Sequence, residues 1–286
     1  MIVLESKYLE RECRLYLIFI QSMESRPPFF LTGYIAKLIP DIVKMIQPYG
    51  HEIASHGLTH EPRFAFDNLS LDNQKVHLLE SKKILEDISG DEIITFRAPA
   101  ARVQKNTALA LAETGFSVDS SISSQRFDFF LSFGNLKKLK WMVAPRNSYF
   151  TSSNDIFKKG SGDILEIPIS AFIIPYIGTT LRMFPSLIKY IRTILDFENS
   201  INEKPIVFLT HPNEFIDEED NGIKIKRRTE NFLSYVFGDM IRRKLKLKNL
   251  GPSAISLLEK EIKFFNKKGY KFLTCKEYYS IKKNNI

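Results

Sequence analysis

Pro28-Phe29-Phe30-Leu31-Thr32-Gly33, then apolar residues at helical spacing over 35–47, then His51-Glu52-Ile53-Ala54-Ser55-His56-Gly57-Leu58-Thr59-His60, reads as strand, helix, strand. Tyr49-Gly50 closes the helix, and a polar loop follows the second strand to about Asn68. Outward from this run the alternation continues. Residues 70–88 form an amphipathic helix that Ser89-Gly90 stops, since Gly just past the last periodic residue is the usual stop signal. Strands are predicted at 92–96, 116–119, 163–169, 205–210 and 270–274, with helices at 106–113 and 253–267. Strands alternating with helices imply parallel pairing, so the predicted class is α/β. Residues 123–162, around Trp141, read as loops and short strands beside the site, and 216–250 as a helical insertion.

With 286 residues and 44% hydrophobic content the chain can bury one large core, and one domain is expected. Cys13 and Cys275 lie near opposite ends without C-x-x-C spacing, which argues against a disulfide framework or a thiolate metal site and for a reducing, cytoplasmic setting. The start interleaves acids and bases around a short apolar run, Leu15 to Ile20, and is not read as a secretory signal. Residues 164–191 are broken by Pro168, Pro175, Pro185, Arg182 and Lys189 and do not read as a spanning helix. The net charge of +8 is concentrated in residues 224–248, where nine Lys and Arg face only Glu230 and Asp239. Such a segment is either a solvated helical face or a docking patch for an anionic membrane surface; nucleic acid is not expected, because no recognised motif accompanies the charge.

Parallel α/β barrels carry their functional residues at the carboxyl ends of strands. The His and Arg residues at predicted strand ends are His56, His60, Arg97 and His211. A spacing of four lets the imidazoles of His56 and His60 converge if the loop takes one helical turn, and neutral imidazole suits Zn²⁺ and similar divalent ions. By itself H-x-x-x-H is weak, because most such pairs are surface or core histidines.

The neighbouring residues make the pattern specific. The runs 28–33 and 50–60 resemble the second motif of the polysaccharide deacetylases (the NodB-homology family, similar to carbohydrate esterase family 4) and its approach. Phe96-Arg97-Ala98-Pro99 is similar to that family's Arg-x-Pro motif, and Val118-Asp119-Ser120-Ser121 looks like the segment after it. Phe208-Leu209-Thr210-His211-Pro212 resembles the closing Leu-x-His motif, and Gly269-Tyr270-Lys271-Phe272-Leu273-Thr274 the last strand. The resemblance runs in order over 28–277. It implies a distorted (β/α)7 TIM-like barrel over 28–286 after an atypical segment 1–27, with the first strand lacking or distorted. It also implies a divalent metal, zinc first, held by two His and one Asp, with a second Asp as base and a His as acid. Carried over by position, His56 and His60 are metal ligands, His211 is the acid, Arg97 orients the base, and Pro99 and Asp119 lie beside the substrate, an N-acetylated glycan or lipid-linked sugar.

One departure stands out. The family's aspartate pair belongs upstream of Pro28, yet the first Asp is Asp41, and only Glu5, Glu10, Glu12 and Glu24 precede it. The third ligand and the base are therefore missing. A late start that omits the first strand, a shifted remnant, or a non-catalytic glycan-binding relative each accounts for this. Retention of Arg97 and His211 favours the first two, because a buried Arg without its carboxylate is costly. The expected function is a metal-dependent hydrolase that removes N-acetyl groups from a sugar, incomplete as written. His51 is expected to pack near its strand start, and Glu52 to lie at the surface or in a salt bridge.

Overall fold

The computed structural model describes residues 25–124, 141–215 and 247–285, together with 14, 17, 19–21, 23 and 245. Strand β1 (Phe29–Leu31) leads into helix α1 (Gly33–Leu38), then α2 (Pro40–Ile46), and the chain returns as β2 (Ile53–Ser55). The single helix predicted over 35–47 is two. Pro40 cannot donate to the preceding turn, so Ile39 leaves helical geometry at φ −138° while the Pro ring starts α2 at its first position. Helix α3 (Leu71–Ser89) is sharply bounded: the Ser70 side chain accepts a hydrogen bond from Asn73 N, and Gly90 sits in the left-handed region at φ 73°. Next come β3 (Thr95–Phe96), α4 (Thr107–Glu113) and β4 (Val118–Asp119).

Strands β5 (Tyr149–Ser152) and β6 (Asp155–Lys159) form an antiparallel hairpin before β7 (Leu165–Glu166). A short hairpin, β8 (Ala171–Phe172) and β9 (Ile174–Pro175), precedes α5 (Gly178–Met183) and α6 (Pro185–Asn202). Helices α7 (Pro252–Lys267) and α8 (Cys275–Asn284) complete the described elements.

The seven-stranded sheet has the order β1-β2-β3-β4-β7-β5-β6. Its first five members pair in parallel, as alternation with helices requires. The other two members are the antiparallel hairpin, from a region read as loops and short strands. The count of seven is thus reached differently from a ring of parallel strands, and among the described residues no ladder joins β1 to β6. Two expected strands are corrected. Residues 205–210 make one isolated bridge, Leu209 to Ile177, through the bond from Gly178 N to Leu209 O; Val207 O accepts from Ser170 N, but Val207 N donates to the Ser170 side chain and not to a strand backbone. Residues 270–274 run from Gly269 in the left-handed region to Thr274, which caps α8, and form no ladder.

The main core holds Ile42, Val43 and Ile46 of α2, Leu78 and Leu85 of α3, and Leu111 of α4, all fully buried around Phe96. Each such side chain contributes about 1.5–3 kcal/mol by leaving water. Among the described residues no helix is long and apolar enough to cross a membrane. Most of the basic run 224–248 and of the segment 1–27 lies outside the described residues. Lys248 is described, and its charge is used inside the fold: Nζ donates to Met183 O at 3.3 Å.

Candidate active site

The histidine loop is held from three directions. His56 N donates to Leu31 O at 2.8 Å, and Gly33 N and Tyr34 N at the start of α1 donate to Gly57 O and Leu58 O, each at 2.9 Å. Gly57 is at φ 72°, and a Cβ there would lie 3.2 Å from the Phe66 ring, so both backbone and space call for glycine. Beneath the loop, Ser55 Oγ accepts from Gly57 N and meets Ser81 Oγ of α3 at 3.0 Å.

His56 Nδ1 lies 2.6 Å from Arg97 O. A carbonyl oxygen only accepts, so Nδ1 carries the proton and Nε2 keeps its lone pair. Burial, then the charges of His60, Arg97 and His211, pull the His56 pKa down to about 3, so the ring is neutral at any working pH. The rings of His56 and His60 have centroids 5.5 Å apart. Donor type and orientation of His56 suit an ion with Zn–N distances of about 2.0–2.1 Å, and His60 is close enough to share it. No third donor joins them: among the described residues no group of three or more His, Cys, Asp or Glu converges as a metal-holding set. The pair therefore fits a divalent ion in part, and Glu5, Glu10, Glu12 and Glu24 lie outside the described residues.

Arg97 is buried with 7% of its surface exposed. Its Nε donates to Ser120 O at 2.8 Å and Nη2 to Ser120 Oγ at 2.7 Å, and the guanidinium lies 4.1 Å from the centre of the Phe30 ring. Among the described residues no carboxylate comes within ion-pair distance of it, and burial pulls its pKa down. Pro99 is buried beside Gly57, and the two residues after it, Ala100 and Ala101, both hold positive φ, 53° and 54°. Non-glycine residues pay for that geometry, and it concentrates at functional sites.

Asp119 is fully buried beneath this layer, bonded by Ser121 Oγ at 2.6 Å and directly opposite Glu166 in the β4–β7 register. Asp119 Oδ2 and Glu166 Oε2 are buried without a hydrogen-bond donor among the described residues, and burial raises the pKa of both carboxyls. Ser120 Oγ passes the network on to Ile167 O at 2.7 Å, and Ser121 Oγ accepts from Ala98 N at 2.8 Å. Asp-Ser-Ser thus forms the floor that fixes Arg97.

His211 is exposed, and its charge reaches His56. The turn after it is anchored by Glu214, only 3% exposed, which accepts from His211 N at 3.3 Å, Thr179 Oγ1 at 2.7 Å and Arg182 Nη2 at 3.3 Å. His56 thus touches both Arg97 and the His60 ring, while His211 lies near enough to contribute to the electrostatics at His56. Sequence reasoning named Ser120 only within a motif segment, set Glu214 beside the substrate without a basis, and missed Glu166 and the Arg182–Glu214 pair; Gly178, which packs on Glu214, carried no signal without the partner. Glu52 is also corrected: it is buried, accepts from Lys276 N at 3.1 Å, and has a pKa raised chiefly by burial. His51 packs 5.1 Å from the Phe29 ring, with neither ring nitrogen bonded.

Residues 20–118 match the polysaccharide deacetylase family. The peptidoglycan deacetylase-like protein FGM2 of Gibberella zeae is 34% identical over 97 residues, 33% of this chain and 27% of that protein, so the match spans about a quarter of the relative. A Mycobacterium smegmatis structure assigned to the polysaccharide deacetylases superposes with TM-score 0.52 at 18% identity, over 89% of this chain and 78% of the other. PuuE allantoinase gives 0.55 at 15% identity, over 93% and 70%. A Pseudomonas aeruginosa PAO1 structure, also assigned to the polysaccharide deacetylases, gives 0.55 at 14%, over 94% and 71%. These likenesses establish the shared fold.

Proposed function

Because residues 20–118 match the polysaccharide deacetylase family, we propose that the chain belongs to it and removes N-acetyl groups from an N-acetylated polysaccharide such as peptidoglycan, using a divalent metal, with zinc the first candidate. His56 and His60 hold the ion, Arg97 orients the base carboxylate, and His211 gives a proton to the leaving amine. The observation that carries this is the His56 Nδ1 bond to Arg97 O, which leaves Nε2 free beside the His60 ring. A divalent ion bound there supplies Lewis-acid polarisation of the acetamide carbonyl. The remaining chemistry belongs to the protein. Exposure leaves His211 able to exchange a proton with solvent between turnovers, as a general acid must. Arg97, pinned by Ser120, offers a fixed cation to a carboxylate that the described residues do not provide.

That same gap favours a second reading, a glycan-binding protein that keeps the cleft without performing the chemistry. Zinc content by plasma mass spectrometry, measured alongside acetate release from N-acetylglucosamine oligomers and peptidoglycan, separates the two. The deacetylase reading expects bound zinc and acetate, both lost in His56→Ala and His60→Ala. Glycan binding without zinc or acetate favours the second reading, and zinc content unchanged by either substitution refutes the ligand assignment.

A further inference from the structure

Helix α6 has two apolar stripes where an ordinary surface helix has one. The first, Ile188, Ile191 and Leu195, is buried against the fold. The second consists of Leu187, Tyr190, Ile194, Phe197 and Ile201, at successive spacings of three, four, three and four. Tyr190 is 72% exposed, Phe197 65% and Ile201 68%. Single exposed apolar residues are ordinary, but a continuous row at this spacing has the a and d periodicity by which one helix seats against another.

We propose that this stripe is a self-association surface, through which two copies of the chain pair α6 against α6 about a two-fold axis. The residues flanking the seam on its open side are Ser186, Thr193 and Ser200, so identical helices meet without like-charge repulsion. A helix built to lie on an anionic membrane instead presents free Lys and Arg from its polar face. In α6, Arg192 is committed to Glu261 at 2.9 Å and Asp196 pairs with Lys268, which leaves Lys189 as the exposed lysine of the helix. The hairpin tip between β8 and β9 extends the patch. Arg146 bonds both Glu198 of α6 and Ala171 O, which sets Phe172 and Ile173 beside the helix, 40% and 56% exposed. Ile173 holds φ 61°, a costly geometry for a β-branched residue, at a position where water alone would favour glycine or asparagine.

With about 200 Å² per aromatic side chain, the patch offers roughly 700 Å² per copy and roughly 1,400 Å² for a pair, within the range of specific interfaces. The 18 residues of α6 give a seam of about 27 Å, with Ile194 at its centre. A residue on a two-fold axis meets its own counterpart.

Sedimentation velocity on the full chain, from about 1 to 100 µM, is the test. A concentration-dependent dimer is expected, with a dissociation constant raised at least tenfold by Phe197→Glu with Ile201→Glu, while Val76→Glu on α3, equally exposed, leaves it unchanged. Ile194→Cys should cross-link to its own copy under mild oxidation, and Lys189→Cys, on the opposite side, should not; this arm holds even if the double variant folds poorly. A monomer across the whole range overturns the proposal, as does a dimer indifferent to the seam substitutions. A monomer that binds anionic phosphatidylserine vesicles through Phe197 overturns it in favour of a lipid surface.

Discussion

Gly178→Ala tests how the His211 turn is held. Gly178 opens α5 without a positive φ, so backbone preference alone favours alanine there by up to about 1 kcal/mol. Packing reverses the sign. A Cβ on residue 178 would overlap Glu214 Oε2 and lie 2.9 Å from Glu214 Cδ. The Glu214 carboxylate has nowhere to go without leaving Thr179 Oγ1, Arg182 Nη2 and His211 N. Breaking a buried ion pair costs about 3–5 kcal/mol. The net expectation is a loss of roughly 2–4 kcal/mol, a melting point lower by roughly 5–15 °C. Circular dichroism melts on both proteins measure it. In a Glu214→Ala background the same Gly178→Ala change should cost little, since the overlapping group is gone. A variant that melts at or above the parent temperature would show that Glu214 moves freely, and the account of a rigid turn beneath His211 would fail.

Ser120→Ala leaves Arg97 Nη2 without its 2.7 Å partner in a buried setting and should cost about 1.5–3 kcal/mol in urea unfolding, whereas a loss below about 0.5 kcal/mol would mean that the carbonyl alone secures the guanidinium. The Asp119–Glu166 pair makes stability fall with rising pH. Both folded pKa values lie above those of the unfolded carboxyls, so their contribution is complete below the ordinary carboxylate range and is lost as pH climbs through the raised folded values. Melts between pH 5 and 9 should show this slope, and Glu166→Gln, which keeps an acceptor for Ile122 N, should flatten it; equal slopes in the two proteins would show that this pair does not set the pH dependence.

The candidate residues were nominated together because His56 follows β2 and Arg97 follows β3, while His211 follows an apolar run that makes a single bridge at Leu209. Strand ends in a parallel sheet converge, so strand–helix alternation was enough to nominate them together. Local chemistry also marked the long helix, since Ser70 and Gly90 act on their own neighbours, whereas the break at Pro40 and the helix that Thr274 caps were not read from the sequence. Pairing lay beyond that kind of signal. Residues 270–274 have a strand's composition and make no ladder, while β5 and β6 pair within a stretch that showed no regular pattern. A strand is defined by a partner's backbone as much as by its own side chains. Polar groups under the site were hidden for the same reason. Glu214 meets Arg182 across 32 residues, Asp119 meets Glu166 across a parallel ladder, and Ser120 serves Arg97 from 23 residues away. Their burial and protonation arise only when the sheet brings those positions into register, because desolvation depends on everything packed around a group and not on its place along the chain.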